Sequence, residues 1–359
     1  MSTTGLGRRG RRRGDVTVAG IARLAGVSVP TVSKVLNGRS GVAATTRLRV
    51  EAVMREQGYR RPDSVGVTPV IEVLFHALET HQAIQIMRGV ERVADGHELA
   101  VAFTEARGGA TRRRSWIDQV LRRRPTGVIA VYPDPEPERQ ARLVASGIPL
   151  VVVDPTGEPL HATPSVGATN WSGGVAATRH LLDLGHRRIA MIGGPRSMLS
   201  AQARLDGFRA AMAGAGAPVD PKLVRAGRFS FEEGVKHGRA LLRLPDPPTA
   251  VFAADDLLAF GLYEAAREAG VRIPADLSVV GFDDIEPALW CGPPLTTVRQ
   301  PLVEMGAAAA ELVLALAGGQ DPEHTRLELA TELVIRQSTA PAPGPARAER
   351  AQRSTAPPR

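Results

Sequence analysis

Polar side chains recur directly after short apolar runs along the middle and later part of the sequence. Asp255 follows TAVFAA, Asp283 follows LSVVGF, and Arg204 begins a helical pattern after RRIAMIGG. Carboxylate and guanidinium groups are planar and can make two hydrogen bonds at once, which suits the paired hydroxyls of a sugar. An aromatic ring would pack beneath the apolar face of such a ligand. The side chains at these positions are Glu79, Asn170, Trp171, Arg204, Asp255, Asp283 and Gln300, with Phe75 and Trp290 as alternative rings to Trp171.

The elements that would hold these side chains alternate between strands and helices. Between residues 70 and 338, short apolar runs without strict polar alternation are followed by amphipathic helical patterns. Such runs predict parallel sheets with helices on both faces, and their repetition predicts two doubly wound lobes. Because ligands bind outside the carboxyl ends of parallel strands, the polar side chains should meet there. We expect an N-lobe of about 70–163 plus 300–320, and a C-lobe of about 164–299 plus 321–338 that holds the last strand, near 327–334.

A smaller helical pattern precedes the lobes, at residues 15–60. Thr17 is placed to cap a first helix, which Gly26 ends. Ser28 can cap a second helix, whose first turn accepts Pro30 without losing a helical hydrogen bond. The tight break between the two predicts a helix-turn-helix, which is a DNA-reading motif. A third helix is expected at about 45–57, packed through Leu48, Val50 or Val53, and Met54.

Positive charge is concentrated at the N-terminal end of the sequence. The first 61 residues hold 13 Lys and Arg against 3 Asp and Glu, whereas the rest of the chain holds 32 against 34. This asymmetry is typical of a nucleic-acid-binding head joined to a nearly neutral body. The flanking segments have no apolar periodicity, so we expect a disordered basic arm at 1–14, a short linker at 61–69 and a disordered tail at 339–359.

Several sequence blocks, spread over nearly the whole sequence, are similar to those of one protein family. The blocks ARLAGVSVPTVSKVLNG, TRLRV and GYRRP follow one another and resemble the DNA-binding head of the LacI/GalR transcription regulators. GATNWSGG, ARLDGFRAAM, VFAADDLLAFG, IPADLSVVGFDD and LTTVRQP are similar to blocks of its effector domain and stand in the family's order. The resemblance implies an all-α helix-turn-helix head and an α/β body like the type I periplasmic binding proteins. The linker departs from the family, because it lacks the usual hinge-helix segment with Ala-Arg and a leucine.

The resemblance places the second helix of the head in the major groove of DNA. It implies that Val29, Pro30 and Lys34 contact base edges. Ser28 and Thr31 have a second interpretation, because a hydroxyl at a helix start can cap the helix without touching DNA. Contacts to phosphates, or support of the docked head, are implied for Thr17, Ser28, Thr31, Ser33 and Asn37.

In the body, the resemblance implies an effector cleft between the two lobes. Asp255 stands where the family commonly has an asparagine, and a carboxylate at that position favours ligand hydroxyls that donate. Asp256 matches the usual family aspartate, and a capping role is the alternative for Asp256 and Asp284. The residues that align with the cleft are Asn170, Arg204, Asp255, Asp283 and Gln300.

The combined prediction is a sequence-specific transcription regulator, and specifically a repressor, whose affinity for double-stranded operator DNA is controlled by a small sugar. We expect a homodimer on a two-fold-symmetric operator, because one short recognition helix buries too little surface for selectivity across a genome. A sugar-binding protein without a regulatory role is the first alternative. A sugar-processing enzyme is the second.

Several patterns weigh against enzymatic and exported classes. Gly193-Gly194 after a strand is not part of a G-x-G-x-x-G sequence, the Walker and G-x-S-x-G sequences are absent, and the histidines have no metal-ligand spacing. We therefore expect no enzyme, cofactor or metal site. Cys291 is the only cysteine, and no signal peptide or membrane-spanning apolar run is visible. These features favour a cytoplasmic protein associated with the nucleoid.

Overall fold

The computed structural model divides into two compact units, Met1–Gly66 and Val67–Arg359. Within the described part of the chain, no helix is both long enough and apolar enough to cross a membrane. The described residues are 17–36, 42–57, 68–75, 78, 80–105, 110–131, 142–143, 145–155 and 163–343. The predicted basic arm and most of the predicted linker lie outside these ranges, so the question of a hinge helix falls outside them too.

The described residues of the head form three helices. Thr17 caps the first helix, because its Oγ1 accepts a hydrogen bond from the backbone N–H of Gly20 at 3.1 Å. Gly26 follows that helix with a φ of 62°, a left-handed conformation that glycine adopts without steric cost. Leu48 was expected in the core and is 63% exposed, so that expectation is wrong. The helices are α1 (Val18–Leu24), α2 (Val29–Leu36) and α3 (Ala44–Glu56). The buried core is Ile21, Ala22, Ala25, Val32, Val35 and Val50, with Val53 and Met54 packed against it.

The first lobe contains a six-stranded sheet in the order β11-β5-β4-β3-β1-β2, and its neighbouring strands are all parallel. Helices α4 and α11 pack on one face through apolar residues such as Ile86 and Met305, and α5 covers the other through Ile117 and Val120. The strands are β1 (Thr68–Phe75), β2 (Ala100–Glu105), β3 (Pro125–Val131), β4 (Leu150–Val153), β5 (Ser165–Ala168) and β11 (Arg326–Leu329). The helices are α4 (His81–Gly96), α5 (Ala110–Arg123) and α11 (Leu302–Ala317).

The second lobe also contains a six-stranded sheet, in the order β12-β10-β9-β8-β6-β7. Among its described strands, only β12 runs antiparallel to its neighbour. One face packs on α6 and α7, and the other on α8 and α9. The strands are β6 (Ile189–Gly193), β7 (Val224–Ala226), β8 (Ala250–Ala253), β9 (Ser278–Asp283), β10 (Thr296–Arg299) and β12 (Glu332–Val334). The helices are α6 (Asn170–Asp183), α7 (Leu199–Gly214), α8 (Phe231–Leu242), α9 (Asp256–Glu268) and α10 (Pro287–Trp290).

The chain crosses between the lobes after β5, after β10 and after β11. The predicted boundaries are therefore wrong in two places, because β5 and β11 were assigned to the C-lobe and both belong to the first sheet. The single strand expected near 327–334 is in fact two short strands in different sheets. The predicted fold class, a helical head followed by two parallel-sheet lobes, is confirmed.

The predicted disordered tail at 339–359 is wrong at its start, and residues 344–359 lie outside the described ranges. Ser338 is fully buried, and its Oγ donates to the carbonyl of Val279 at 2.6 Å. The carbonyl of Ala340 lies 3.0 Å from His186 Nε2, and the N–H of Ala342 donates to the carbonyl of Leu184 at 2.8 Å. Residues 339–342 are therefore bound to the second lobe.

Candidate functional site

One face of α2 carries the predicted DNA-reading side chains. Val29, Pro30, Ser33 and Lys34 are exposed, whereas Val32 and Val35 on the opposite face are buried in the head. This division follows from the helical period, which places residues three and four apart on the same side. Contacts of the exposed residues with DNA remain predictions, and Asn37 lies outside the described residues.

Ser28 and Thr31 form a helix cap. The Oγ of Ser28 accepts from the backbone N–H of Thr31 at 3.3 Å, and the two hydroxyl oxygens are 2.8 Å apart. Ser28 is exposed and Thr31 is partly exposed. A hydroxyl in this position can hold the helix start while it faces a phosphate, so the cap is compatible with the predicted docking role.

Arg204 lies at the centre of a buried polar cluster in the body. Its Nε donates to Asn170 Oδ1 at 2.9 Å, and its Nη1 donates to the carbonyl of Ala254 at 2.6 Å. The same Nη1 lies 3.5 Å from Asp283 Oδ1. The guanidinium carbon is 3.7 Å from the centre of the Phe282 ring, a cation–π distance. These contacts fix the guanidinium at the carboxyl ends of the second sheet.

Helices α6 and α7 bring Arg204 and Asn170 together. Gly174 of α6 sits against the backbone of Arg204, and Gly207 of α7 sits against the carbonyl oxygen of Trp171. A Cβ atom at either glycine would overlap these backbone atoms, so the close approach of the two helices requires glycine there. These backbone contacts thus set the distance between α6, which starts at Asn170, and α7, which carries Arg204 in its second turn.

The carboxylate of Asp283 accepts hydrogen bonds from side chains on several elements. Gln300 Nε2 donates to its Oδ1 at 2.6 Å, and Gln82 Nε2 donates to its Oδ2 at 2.7 Å. Gln82 lies on α4 of the first lobe, so this carboxylate joins the two lobes. Asp283 has a φ of 113°, a conformation that non-glycine residues rarely adopt and that is concentrated at functional sites.

Asp255 caps α9 and also faces the cluster. Its Oδ1 accepts from the N–H groups of Leu257 at 2.7 Å and Leu258 at 3.1 Å. Burial raises the pKa of its carboxyl well above the ordinary value, and the nearby Asp283 carboxylate raises it further.

The neighbouring carboxyl group, that of Asp256, has a different role. Its oxygens accept from the N–H of Ile285 at 2.9 Å and the hydroxyl of Thr297 at 2.6 Å.

Asp154 is a member of this cluster that the sequence did not reveal. It follows β4 of the first lobe, is buried and has a φ of 47°. Burial raises the pKa of its carboxyl to about 6, although the Arg204 guanidinium opposes the shift. Asp283 adds to the increase, and hydrogen bonds with Ser200 and Asn170 reduce it. The cluster therefore has three carboxyl groups, Asp154, Asp255 and Asp283, around one guanidinium.

The aromatic rings beside Arg204 are also different from those expected. They are Phe282 and, at 5.6 Å, Phe229. Trp171 is 50% exposed, Trp290 is 71% exposed, and Phe75 packs in the core of the first lobe against Phe103. Ligand contacts of Trp171, Phe75 and Trp290 stay predictions. Glu79 lies outside the described residues.

Two family models match this sequence. Residues 17–62 match "Bacterial regulatory proteins, lacI family", and residues 178–339 match "Periplasmic binding protein-like domain". The ribose operon repressor of Haemophilus influenzae is 33% identical over 327 residues, which cover 90% of this chain and 98% of that protein. The chain belongs to the LacI family. This LacI-family protein therefore combines a DNA-binding head with a periplasmic-binding-protein-like body, as the sequence blocks predicted.

Solved structures support the same assignment for the LacI-family chain. A transcriptional regulator, CelR, in complex with cellobiose has a TM-score of 0.71 and 33% identity, covering 90% of this chain and 99% of that one. A lac repressor dimer bound to operator and the anti-inducer ONPF has a TM-score of 0.68 and 31% identity, covering 91% and 99%. Both likenesses extend over the head and the body. The relatives are transcriptional regulators, which agrees with the expectation of a non-enzyme.

Proposed function

We propose that this LacI-family protein is a homodimeric repressor in the cytoplasm, bound to chromosomal operator DNA and controlled by a small sugar between its lobes. The polar cluster around Arg204 and Asp283 carries this proposal, because it joins side chains of both lobes at the carboxyl ends of their strands. Carboxylates, amides and a guanidinium over aromatic rings are suited to sugar hydroxyls. The relatives named above include regulators solved with cellobiose and with operator DNA.

The proposed mechanism couples the cluster to the heads by differential affinity. A sugar that binds one arrangement of the two lobes more tightly than another shifts the population toward that arrangement. Operator affinity then changes by the same coupling free energy by which DNA changes sugar affinity. Asp283 and Arg204 are the central proposed ligand contacts, with Asn170, Asp255 and Gln300 beside them. Glu79 and Trp171 complete the proposed set.

Variants that change DNA binding or sugar binding alone test the proposed function. Lys34→Ala should relax base preference at one position of each half-site and weaken the best operator by roughly 1–3 kcal/mol. The rise in the unfolding midpoint of the Lys34→Ala variant when sugar is added should equal that of wild type. Asp283→Asn should lose that stabilisation and keep the operator footprint. The sugars to screen are pentoses, hexoses and disaccharides, including ribose and cellobiose, with purines as the contrasting class.

The matched control for the head is Arg23→Ala, which removes one exposed positive charge from α1 instead of α2. It should lower affinity for all DNA sequences without changing base preference. A single asymmetric protected half-site that no sugar affects would contradict the inducible dimer. A protein that binds sugar and does not retard DNA at physiological salt would instead support the non-regulatory alternative.

A further inference from the structure

A hydrogen bond from Gln82 connects the two lobes inside the cluster. Gln82 lies in the first turn of α4, and its Nε2 donates to Asp283 Oδ2, at the end of β9, over 2.7 Å. Helix α4 is fixed to the first lobe, because Gly89 sits against the carbonyl oxygen of Val303, and Gly306 sits against that of Ile86. The Gln82–Asp283 bond therefore connects a helix of the first lobe to the end of a strand of the second lobe.

The carboxylate that accepts this bond is already surrounded by protein donors. Asp283 is buried, and its Oδ1 accepts from Gln300 at 2.6 Å with Arg204 Nη1 at 3.5 Å. Arg204 and Gln300 are themselves buried, whereas Gln82 is only partly buried. Because Asp283 is buried, a ligand hydroxyl can reach its Oδ2 only if a neighbouring group moves aside, and Gln82 is the most exposed of the three donors.

A second observation indicates where such a hydroxyl would bind. The amide oxygen of Gln300 is buried and has no hydrogen-bond partner among the described residues. A buried acceptor without a donor is costly, and a ligand hydroxyl would satisfy it. The unsatisfied oxygen belongs to the side chain whose Nε2 already holds Asp283 Oδ1. A hydroxyl that reaches this acceptor therefore arrives beside the same carboxylate.

We infer that Gln82 is a specificity-determining residue that competes with the effector for Asp283 Oδ2. The inference rests on the proposed function, since it assigns the effector to this cluster. A sugar whose hydroxyls reach both Gln300 Oε1 and Asp283 replaces the Gln82 amide and breaks the bond between the lobes. Sugars that cannot supply both donors leave the bond in place. Gln82 thus lowers the affinity of the site for sugars, because its bond to Asp283 must break when a sugar binds. Loss of that bond changes the contacts of α4 in the sugar-bound protein.

The first test measures the bond between the lobes without any sugar. In the full-length protein, Gln82→Ala and Gln82→Met should speed hydrogen exchange about tenfold at the start of α4 and at residues 283–285, as expected for loss of one charge-assisted hydrogen bond. Methionine keeps the length of the side chain and favours helix, so it controls for packing. Gln85→Ala changes a partly buried glutamine of the same helix and should leave exchange unchanged. Equal exchange in wild type and both Gln82 variants would overturn the inference.

The second test measures competition with sugars. The probes are the pentoses, hexoses and disaccharides screened above, titrated calorimetrically into wild type and the three variants. At least one sugar should bind both Gln82 variants about tenfold more tightly than wild type and Gln85→Ala. Weaker binding would mean that Gln82 contacts the sugar directly, and either that result or no difference for any sugar overturns the inference.

An operator assay separates this inference from the proposed function. Tighter sugar binding by the Gln82 variants, together with operator affinity that no sugar changes, supports competition at Asp283 and contradicts the regulatory proposal. Operator affinity that responds to sugar identically in wild type and Gln82 variants supports the regulatory proposal and contradicts a role for Gln82.

Discussion

At the scale of single residues, the cluster is defined by an excess of carboxyl groups over cations. Arg204 faces Asp154, Asp255 and Asp283, and burial raises the pKa of both Asp154 and Asp255. Groups of this kind bind protons more readily in the folded protein than in the unfolded chain. The charge of the cluster, and hence its preference for ligand donors, is therefore coupled to folding and to pH.

The pH dependence of stability tests the environment of Asp154. Its folded-state pKa is about 6, above the ordinary carboxyl value of 3.8. The stabilisation from its proton is therefore complete below the ordinary value and is lost as pH rises through about 6. Asp154→Asn cannot titrate, so the free energy of unfolding of wild type should fall by roughly 2–3 kcal/mol relative to this variant across that range. Chemical denaturation at a series of pH values measures the difference.

Asp118→Asn is the matched control for this prediction. It removes a carboxylate whose ion pair with Arg142 is 2.7 Å long and about half exposed on both sides. Exposed pairs contribute little to stability, so its pH profile should follow that of wild type. A wild-type profile parallel to that of Asp154→Asn would show that Asp154 has an ordinary pKa.

At the scale of elements, the cluster depends on how closely two helices approach. Gly207 of α7 lies against the carbonyl oxygen of Trp171 on α6, and Gly174 of α6 lies against the backbone of Arg204. Because both contacts are to backbone, a side chain there cannot be accommodated by a rotamer change. The helix pair holds Arg204 Nε 2.9 Å from Asn170 Oδ1.

Gly207→Ala should therefore separate α6 from α7. Overpacking of this kind costs typically about 1–3 kcal/mol, and thermal unfolding should show a lower midpoint. The longer Arg204–Asn170 distance should also weaken binding of whichever sugar stabilises the wild type. Gly214→Ala is the control, because Gly214 is in the same helix and a Cβ there meets nothing within 4 Å. Alanine favours helix by roughly 0.5–1 kcal/mol, so this variant should be equally or more stable than wild type, and equal losses in both variants would refute the packing argument.

At the scale of the whole molecule, the C-terminal end of the described chain completes the second lobe. The N–H of Thr296 donates to Ser338 Oγ at 2.8 Å, and the N–H of Ala340 donates to Ser278 Oγ at 3.0 Å. His180 Nε2 lies 2.9 Å from Thr339 Oγ1. These contacts tie the last residues to two strands and to α6, far from them in sequence.

Two truncations test this role. A chain that ends at Gln337 loses the contacts of residues 338–342 and leaves His186 without its carbonyl partner at Ala340. With a net value of about 1 kcal/mol for each hydrogen bond, the second lobe should lose roughly 3 kcal/mol or more. A chain that ends at Pro343 keeps every described contact and should unfold like the full chain. Equal unfolding midpoints for the two truncations would contradict the assignment.

Local patterns in the sequence determined the elements and the class of protein. Thr17 marks the start of α1 as its cap, and Gly26 marks its end with a left-handed turn. Both features depend only on neighbouring residues. Apolar runs such as IAMIG became buried strands, because their side chains are apolar on both faces. Asn170, Arg204, Asp255, Asp283 and Gln300 were found together at strand ends, since parallel strands end at one edge.

The tertiary structure alone decided which sheet each short strand joins and which distant side chains meet. β5 and β11 have only four residues each, and their local pattern is the same whichever lobe receives them. Asp154 and Gln82 lie in ordinary sequence surroundings and enter the cluster only because the two lobes face each other there. Side-chain periodicity encodes burial within an element, whereas a hydrogen bond between residues 201 positions apart depends on how the elements are assembled.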